Sequence, residues 1–244
     1  MQHAIEVTHK AFLRALHALK PGMKEFELEA ELTYTLSRHG CLHAFEPIVA
    51  SGSSACTLHY VRNDRTIRRE DLVLLDFGAE YAYMASDVTR TIPASGRFTK
   101  RQREIYMSVL CILDEVTGMM RPGITLPELN VQTGLLIDRE LVRLKLISPR
   151  DLRRQDPAKP LRRKYFMHGV SHHLGYDVHD KYVRTTPLKA GMVLTCEPGL
   201  YIPEEGIGIR LENDILITRG KPRILTHNIP ILPDEIEDLM NTMI

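Results

Sequence analysis

The feature of this chain that most restricts its fold is a helix–turn–helix pattern that occurs twice, 101 residues apart. The two copies read AFLRALHALKPGMKEFELEAEL and VLCILDEVTGMMRPGITLPELN, with a Pro-Gly pair at 21–22 and again at 122–123. Each copy predicts an amphipathic helix that stops at Pro-Gly and a second helix that begins a few residues later.

A strand pattern follows each helix pair in the same order. The segment DLVLLDFGAEY resembles MVLTCEPGLY, which aligns Asp76 with Glu197 at an offset of 121 residues. Much of the extra length is predicted to lie in SPRDLRRQDPAKPLRRKYF, a basic, proline-rich surface insertion. The order predicts a single α+β domain over 1–244, with pseudo-twofold α-α-β-β halves at about 1–100 and 101–244, sheets inside and helices outside.

Composition is consistent with one large folded domain, because 43% of the 244 residues are hydrophobic and 26% are charged. The 32 Lys and Arg nearly balance 31 Asp and Glu, so we expect no generally basic surface for nucleic acid. Apolar stretches fall well short of the roughly 20 residues of a membrane span, and the N-terminus lacks a secretory core. We therefore predict a cytoplasmic protein. Its four scattered cysteines form no CxxC pair, which argues against a disulfide framework.

Four acids occupy matching places in two hairpin-like segments: Asp76 and Asp87 in the first, Glu197 and Glu212 in the second. Chain reversal near 81–82 and near 204–206 would place the two acids of each segment opposite one another on neighbouring strands. Two carboxylates about 4 Å apart repel by roughly 4 kcal/mol at an effective dielectric near 20, so four of them require protonation or bound cations. The pattern therefore predicts a site for two divalent ions.

Between the two acidic segments lies a stretch that is unusually rich in histidine, KYFMHGVSHHLGYDVHD. It holds His168, His172, His173 and His179 within twelve residues. Any one of them could be an ordinary polar residue. Their density beside four carboxylates favours a metal or catalytic site.

Five segments together carry a recognisable signature: LHY at 58–60, DFGAEY and DVTRT within 76–91, HGVSHHLGYDVHD at 168–180, EPGLY at 197–201 and GIRLEND at 208–214. The signature resembles the pita-bread metallopeptidases, most closely the catalytic domain of the aminopeptidase P (Xaa-Pro aminopeptidase) branch. The resemblance covers nearly the whole chain. Relatives generally carry a separate N-terminal domain, so both a short single-domain form and a fragment remain open.

The resemblance implies a dinuclear metal site with five ligands. Asp87 and Glu212 would bridge both ions, Asp76 would complete the shell of the first ion, and His172 and Glu197 would complete the second. Carboxylate oxygens with a single imidazole suit Mn²⁺ best, with Co²⁺ or Zn²⁺ as alternatives. In such a site a bridging water becomes hydroxide near neutral pH and attacks the peptide carbonyl.

The activity implied by the resemblance is removal of an N-terminal residue that precedes proline. His168 and His179 would flank the site, His59 would line the pocket near the residue after the scissile bond, and Arg210 would orient carboxylates or substrate. Glu197 would act as a proton shuttle as well as a ligand. The expected partner is a peptide with proline at its second position, with no nucleic acid and no membrane, and a homodimer is left open.

Other functions remain open within the same fold. Prolidase and methionine aminopeptidase are the enzymatic alternatives, and Ser171 before the ligand histidine favours aminopeptidase P over prolidase. His173 stands where a large aromatic residue is common and Lys181 where a small or apolar one is common, which leaves proline selectivity open. A metal-free binding module is the non-enzymatic alternative, although such forms generally lack the complete ligand set.

Overall fold

The computed structural model describes residues 1–242, and its elements alternate between helix pairs and groups of strands. The helices are α1 (Gln2–Ala18), α2 (Glu25–Arg38), α3 (Lys100–Met119), α4 (Leu126–Arg143), α5 (Pro149–Arg154) and α6 (Pro233–Asn241). The strands are β1 (Leu42–His43), β2 (Ile48–Ser51), β3 (Leu72–Phe77), β4 (Ala79–Tyr81), β5 (Met84–Ala85), β6 (Val88–Pro93), β7 (Val193–Cys196), β8 (Gly199–Ile202), β9 (Ile207–Arg210), β10 (Asn213–Leu216) and β11 (Arg223–Ile224).

Both helix pairs turn at the predicted Pro-Gly positions. Gly22 and Gly123 have φ angles of +96° and +98°, a left-handed conformation that glycine reaches without steric strain. The N–H of Gly22 donates to the carbonyl of Ile67 (2.8 Å), and the N–H of Gly123 donates to that of Leu188 (3.0 Å). The glycines are 101 residues apart and the acceptors 121 apart, so the same contact recurs at the two offsets of the sequence repeat.

The strands form the interior, and each half contributes a three-stranded antiparallel sheet, β2-β3-β6 in the first and β10 between β7 and β11 in the second. The β8–β9 hairpin joins the halves because β9 lies against both β3 and β6. Thr91 on β6 donates from its hydroxyl to the carbonyl of Arg210 (3.1 Å), and the N–H of Glu212 donates to the carbonyl of Thr89 (3.1 Å). The acid-bearing strands of both halves therefore meet at the centre.

The helices cover this interior with narrow apolar faces. Helix α1 buries residues spaced three or four apart, which include Ala4, Val7, Ala11 and Ala15. Helix α3 does the same with Ile105, Val109, Ile112 and Val116. By contrast α5, in the basic segment predicted to be a surface insertion, has no buried residue. The arrangement confirms sheets inside and helices outside.

Arg90 on β6 is completely buried and ties the C-terminal part of the chain to the strands of the centre. Its five N–H groups find five oxygen acceptors, the carbonyls of Thr89, Glu212, Ile229 and Pro230 and the side-chain oxygen of Asn213. Burial lowers the pKa of this guanidinium to about 10, so it stays charged at neutral pH. The backbone on either side of Glu212 is thereby fixed.

Within residues 1–242 we find no helix with the length and apolar character needed to cross a membrane. Cys41, Cys56, Cys111 and Cys196 are all free thiols. Two of them, Cys41 and Cys196, are buried.

Gly78, between β3 and β4, allows a close backbone approach that positions Asp87. A Cβ at Gly78 would lie 1.7 Å from the carbonyl oxygen of Ser86 and 3.3 Å from Cα of Asp87. We expect Gly78→Ala to lower the free energy of unfolding by about 3 kcal/mol, because the backbone has to move to admit the methyl group. Urea denaturation followed by circular dichroism measures this change.

The matched control is Gly118→Ala in α3, where a Cβ would meet no atom within 4 Å. Alanine is the better helix former, so this variant is expected to gain about 0.5 kcal/mol. Equal stability of the two variants would contradict the close approach at Gly78.

Candidate active site

The acids reach the centre through the register of the two hairpins. In the second hairpin, Gly199 pairs with Arg210 and Cys196 with Asn213, a register that aligns Glu197 with Glu212 as predicted. In the first, Asp76 pairs with Thr89 rather than with Asp87, so the prediction that Asp76 and Asp87 are directly opposed is wrong by two residues. Side chains alternate along a strand, so Asp87 and Thr89 still share one face, and Asp76 lies diagonally across from Asp87.

The turn of the first hairpin explains the difference. Tyr81 pairs with Met84, and the two residues between them, Ala82 and Tyr83, have φ angles of +50° and +62°. These angles are typical of a type I′ turn, which usually contains Asn or Gly. The reversal is thus centred one residue later than predicted, and a shift of one residue at the turn moves the pairing by two.

His172 comes from the irregular segment before β7, and its ring is oriented by the backbone. Its carbonyl accepts from the N–H of Thr195 (2.9 Å), and ring Nδ1 lies 3.1 Å from the carbonyl oxygen of His173. Since a carbonyl only accepts, Nδ1 carries the proton and the lone pair is on Nε2. Nε2 lies 3.4 Å from Asp87 Oδ2 and 3.8 Å from Glu197 Oε1.

Three of the five predicted ligands converge. Potential ligand atoms of Asp87, His172 and Glu212 all lie within 4.8 Å of one another. Glu197 lies next to this group, with Oε1 close to Nε2 of His172. Asp76 forms an ion pair through Oδ2 with the guanidinium of Arg210. The Oδ1 atoms of Asp76 and Asp87 are buried and have no hydrogen-bond partner in the described part of the chain.

The electrostatics of this cluster require either protonation of the acids or nearby positive charge. Burial, followed by the neighbouring Glu212 and Asp76, raises the pKa of Asp87 well above its ordinary value. Burial and Glu212 do the same for Glu197, and burial with Asp76 raises the pKa of Glu212 to about 7. Unpaired carboxylate oxygens beside a single imidazole with a free Nε2 form a donor set that fits hard divalent cations.

Arg210 connects the acids of the two halves. It donates from Nη1 to the Tyr201 hydroxyl (2.9 Å) and from Nε to the Thr89 hydroxyl (3.0 Å), in addition to its ion pair with Asp76. The Thr89 hydroxyl in turn donates to Glu212 Oε2 (2.6 Å). One guanidinium thus contacts one carboxylate directly and a second through a threonine.

His168 lies at the edge of the same network. Its Nδ1 donates to the carbonyl of Gly169 (2.8 Å), so Nε2 accepts from the Tyr201 hydroxyl (2.7 Å). The Nδ1 atom also lies 3.6 Å from Glu197 Oε2. Burial, with a further contribution from Arg210, lowers the pKa of His168 to about 3, which leaves the ring neutral at physiological pH.

His179 and His59 complete the set of predicted site residues. The ring of His179 packs edge-on against His172, with centroids 4.2 Å apart. Burial lowers the pKa of His179, and the neighbouring His172 and then His59 lower it further. His59 is exposed, and after burial and Arg210 it also lowers the pKa of His168.

Three residues of the network had no predicted role: Thr89, Tyr201 and Asp214. Asp214 is completely buried, accepts from the N–H of Asp87 (3.3 Å) and leaves its Oδ1 without a partner within residues 1–242. Thr89 and Asp214 each follow a predicted ligand by two residues, and this spacing was a usable signal because it keeps the face of a strand. Tyr201 had no comparable signal.

Comparison with known proteins agrees with this geometry. The model of metallopeptidase family M24 matches residues 1–219. Xaa-Pro aminopeptidase of Escherichia coli K12 is 42% identical over 98% of this chain and 57% of its own length. Xaa-Pro aminopeptidase 3 of Homo sapiens is 36% identical over 98% of this chain and 49% of its own length. The chain thus spans about half the length of the curated relatives it matches.

Solved structures match the fold closely. A putative aminopeptidase P from Bacillus anthracis has a TM-score of 0.91 at 41% identity, over 98% of this chain and 55% of that one. Zinc-substituted aminopeptidase P of E. coli, in complex with product, has the same score and identity over 98% of this chain and 57% of that one. These matches confirm the predicted pita-bread fold, and the chain belongs to metallopeptidase family M24.

Proposed function

We propose that this chain is the single catalytic domain, over residues 1–244, of a metal-dependent aminopeptidase that cleaves the bond between an N-terminal residue and a following proline. The observation that carries the proposal is the convergence of Asp87, His172 and Glu212, with ligand atoms within 4.8 Å of one another. The preference for proline is supported by the similarity to Xaa-Pro aminopeptidases over nearly the whole chain.

The proposed metal site holds two divalent ions, with Mn²⁺ as first choice. Its ligands would be Asp76, Asp87, His172, Glu197 and Glu212. The unpartnered Oδ1 atoms of Asp76 and Asp87 support this set, since buried oxygens without hydrogen bonds are costly unless a cation compensates them. Once bound, such ions supply Lewis acidity and lower the pKa of water towards neutrality.

The remaining groups of the chain would bind substrate and move protons. Glu197 Oε2 would accept the proton that the attacking water gives up, at 3.6 Å from Nδ1 of His168. His168 is neutral because of its lowered pKa, and its one N–H, at Nδ1, would donate to the reacting carbonyl oxygen in place of the Gly169 carbonyl when substrate is bound. His179 would close the other side of the site, and Arg210 would keep Asp76 and Glu212 oriented through its contacts.

A panel of three peptides tests the substrate class. We expect the Mn²⁺-loaded protein to release arginine from Arg-Pro-Pro faster than it cleaves Gly-Pro or Met-Ala-Ser, measured by mass spectrometry of the products. The free amine should be required because it binds beside the acidic cluster, so Arg-Pro-Pro with an acetylated N-terminus serves as the control. Cleavage confined to Gly-Pro would favour prolidase, and cleavage confined to Met-Ala-Ser would overturn the assignment.

Removing the metal with a chelator and adding Mn²⁺ back tests whether the proposed ligands bind it. Protein stripped with a chelator should gain about 2.7 kcal/mol of unfolding free energy when free Mn²⁺ reaches 100 times its dissociation constant. In Asp87→Asn most of this gain should disappear and turnover should fall more than about 100-fold, because one ligand charge is lost.

Thermal denaturation measures the gain in stability, elemental analysis the bound metal and cleavage of Arg-Pro-Pro the turnover, with the exposed Asp156→Asn as the matched control. A folded Asp87→Asn protein with full turnover would contradict the proposed site.

Two buried threonines on β6, Thr89 and Thr91, allow the effect of ligand orientation on metal binding to be measured separately from the effect of a lost hydrogen bond on stability. The hydroxyl of Thr89 donates to Glu212 Oε2, whereas that of Thr91 bonds only to the backbone of Arg210. Replacing either by valine should cost about 1–2 kcal/mol of stability, since each loses a buried hydrogen bond. Only Thr89→Val should weaken Mn²⁺ binding, by about 10- to 100-fold in isothermal titration. Equal affinities in the two variants would argue against ligand orientation by Thr89.

A further inference from the structure

Glu25 is a buried acid outside the carboxylate cluster, and it contacts Tyr60, the residue that follows His59. We propose that Glu25 is a positioning residue that holds His59 in place and so sets how the site binds the residue after the scissile bond. This inference rests on the proposed peptidase function. Glu25 begins α2, and its exposed fraction is 0%.

The carboxylate of Glu25 accepts four hydrogen bonds from the segment that carries His59. Oε1 accepts from the N–H and the hydroxyl of Ser51, both at 2.7 Å. Oε2 accepts from the Tyr60 hydroxyl (2.7 Å) and the N–H of Arg65 (2.9 Å). The acid thus closes the segment 52–64 at its base and also contacts it at Tyr60, the neighbour of His59.

Only a carboxylate satisfies this arrangement. Each oxygen of Glu25 faces a backbone N–H, that of Ser51 on one side and that of Arg65 on the other. A glutamine in either orientation would direct its amide NH₂ at one of these N–H donors, and two donors cannot bond to each other. Glu25→Gln therefore breaks the hydrogen bond to one of these two N–H groups and leaves the size of the side chain almost unchanged.

Asn63, near the C-terminal end of the segment, adds a second contact that fastens the segment to β2. Its side-chain oxygen accepts from the N–H of Val49 (2.9 Å), and its amide donates to the carbonyl of Pro47 (2.9 Å). Its exposed fraction is 1%, and its φ angle is +45°, a left-handed conformation that asparagine tolerates better than most residues. The segment is therefore held at two buried polar contacts on either side of its tip.

His59 lies at this tip in a conformation that needs support. Its φ angle is +52°, and a residue other than glycine held at such an angle persists only when its surroundings fix it. The side chain is exposed, and after burial it is one of the groups that lower the pKa of His168 and of His179. The next residue, Tyr60, is held by Glu25 through its side-chain hydroxyl.

The consequence should appear in substrate binding more than in the chemical step, because His59 is placed beside the substrate and not at the converging ligands. Loss of the Glu25 contact would allow the tip to relax towards ordinary backbone angles and would move the ring away from the pocket. Such displacement of a positioned group typically costs about 10- to 100-fold in activity.

A double-mutant cycle tests whether Glu25 acts through His59. We expect Glu25→Gln to raise KM for Arg-Pro-Pro about tenfold with little change in kcat, and His59→Ala to do the same. The double variant should be no worse than His59→Ala alone. The matched control is Glu31→Gln, on the same helix, where the carboxylate makes a surface ion pair with Arg14 and no change is expected.

Hydrogen–deuterium exchange supplies a measurement that does not depend on activity. In Glu25→Gln, amide exchange should accelerate in 57–64 and stay unchanged in β3 and β6. Should Glu25→Gln fail to fold, Tyr60→Phe removes one of the four donors and leaves both backbone contacts, and it should show the same local effect.

Additive losses in the cycle, or unchanged exchange in 57–64, would overturn the proposal. If the wild-type protein cleaves no Xaa-Pro peptide, the proposed function fails, and the exchange measurement still decides whether Glu25 holds the segment.

Discussion

The repulsion among carboxylates at the junction of the two halves is the constraint on which this structure depends. Asp87, Glu212 and Asp214 are buried, Asp76 and Glu197 are half-buried, and burial raises the pKa of four of the five. One like-charged pair about 4 Å apart costs roughly 4 kcal/mol at an effective dielectric near 20, against a total stability of about 5–15 kcal/mol for a typical protein. The fold can keep these acids only if some of them are protonated or lie beside positive charge.

The chain supplies part of that charge and directs the rest. Arg210 is the guanidinium in contact with the cluster, and its bonds to Asp76, Thr89 and Tyr201 connect strands of both halves. His172 adds an imidazole whose tautomer is set by a carbonyl, so its Nε2 presents a lone pair to the acids. The carboxylate oxygens that face the centre of the cluster still carry uncompensated negative charge, and the proposed pair of divalent ions would balance that charge.

Much of the fold could be predicted because its signals are local. The helix pairs follow from apolar periodicity and Pro-Gly, and both turns lie at the predicted glycines, Gly22 and Gly123. The register of the first hairpin was not predictable in this way, since Ala82 and Tyr83 give no sign of their left-handed angles. The network of Thr89, Tyr201 and Asp214 was missed because hydrogen-bond partners depend on which distant strands meet.

The sequence by itself determined the helix pairs, the acid-bearing strands and the identity of the side chains at the centre, because these depend on periodicity, turn residues and residue chemistry. Only the tertiary structure decided which carboxylate oxygens are paired and which are left for a cation. Arg210 reaches Asp76 across 134 residues of sequence, and Glu25 reaches Arg65 across 40. Burial and hydrogen bonding between such distant segments depend on how strands and helices pack, and no local pattern encodes them.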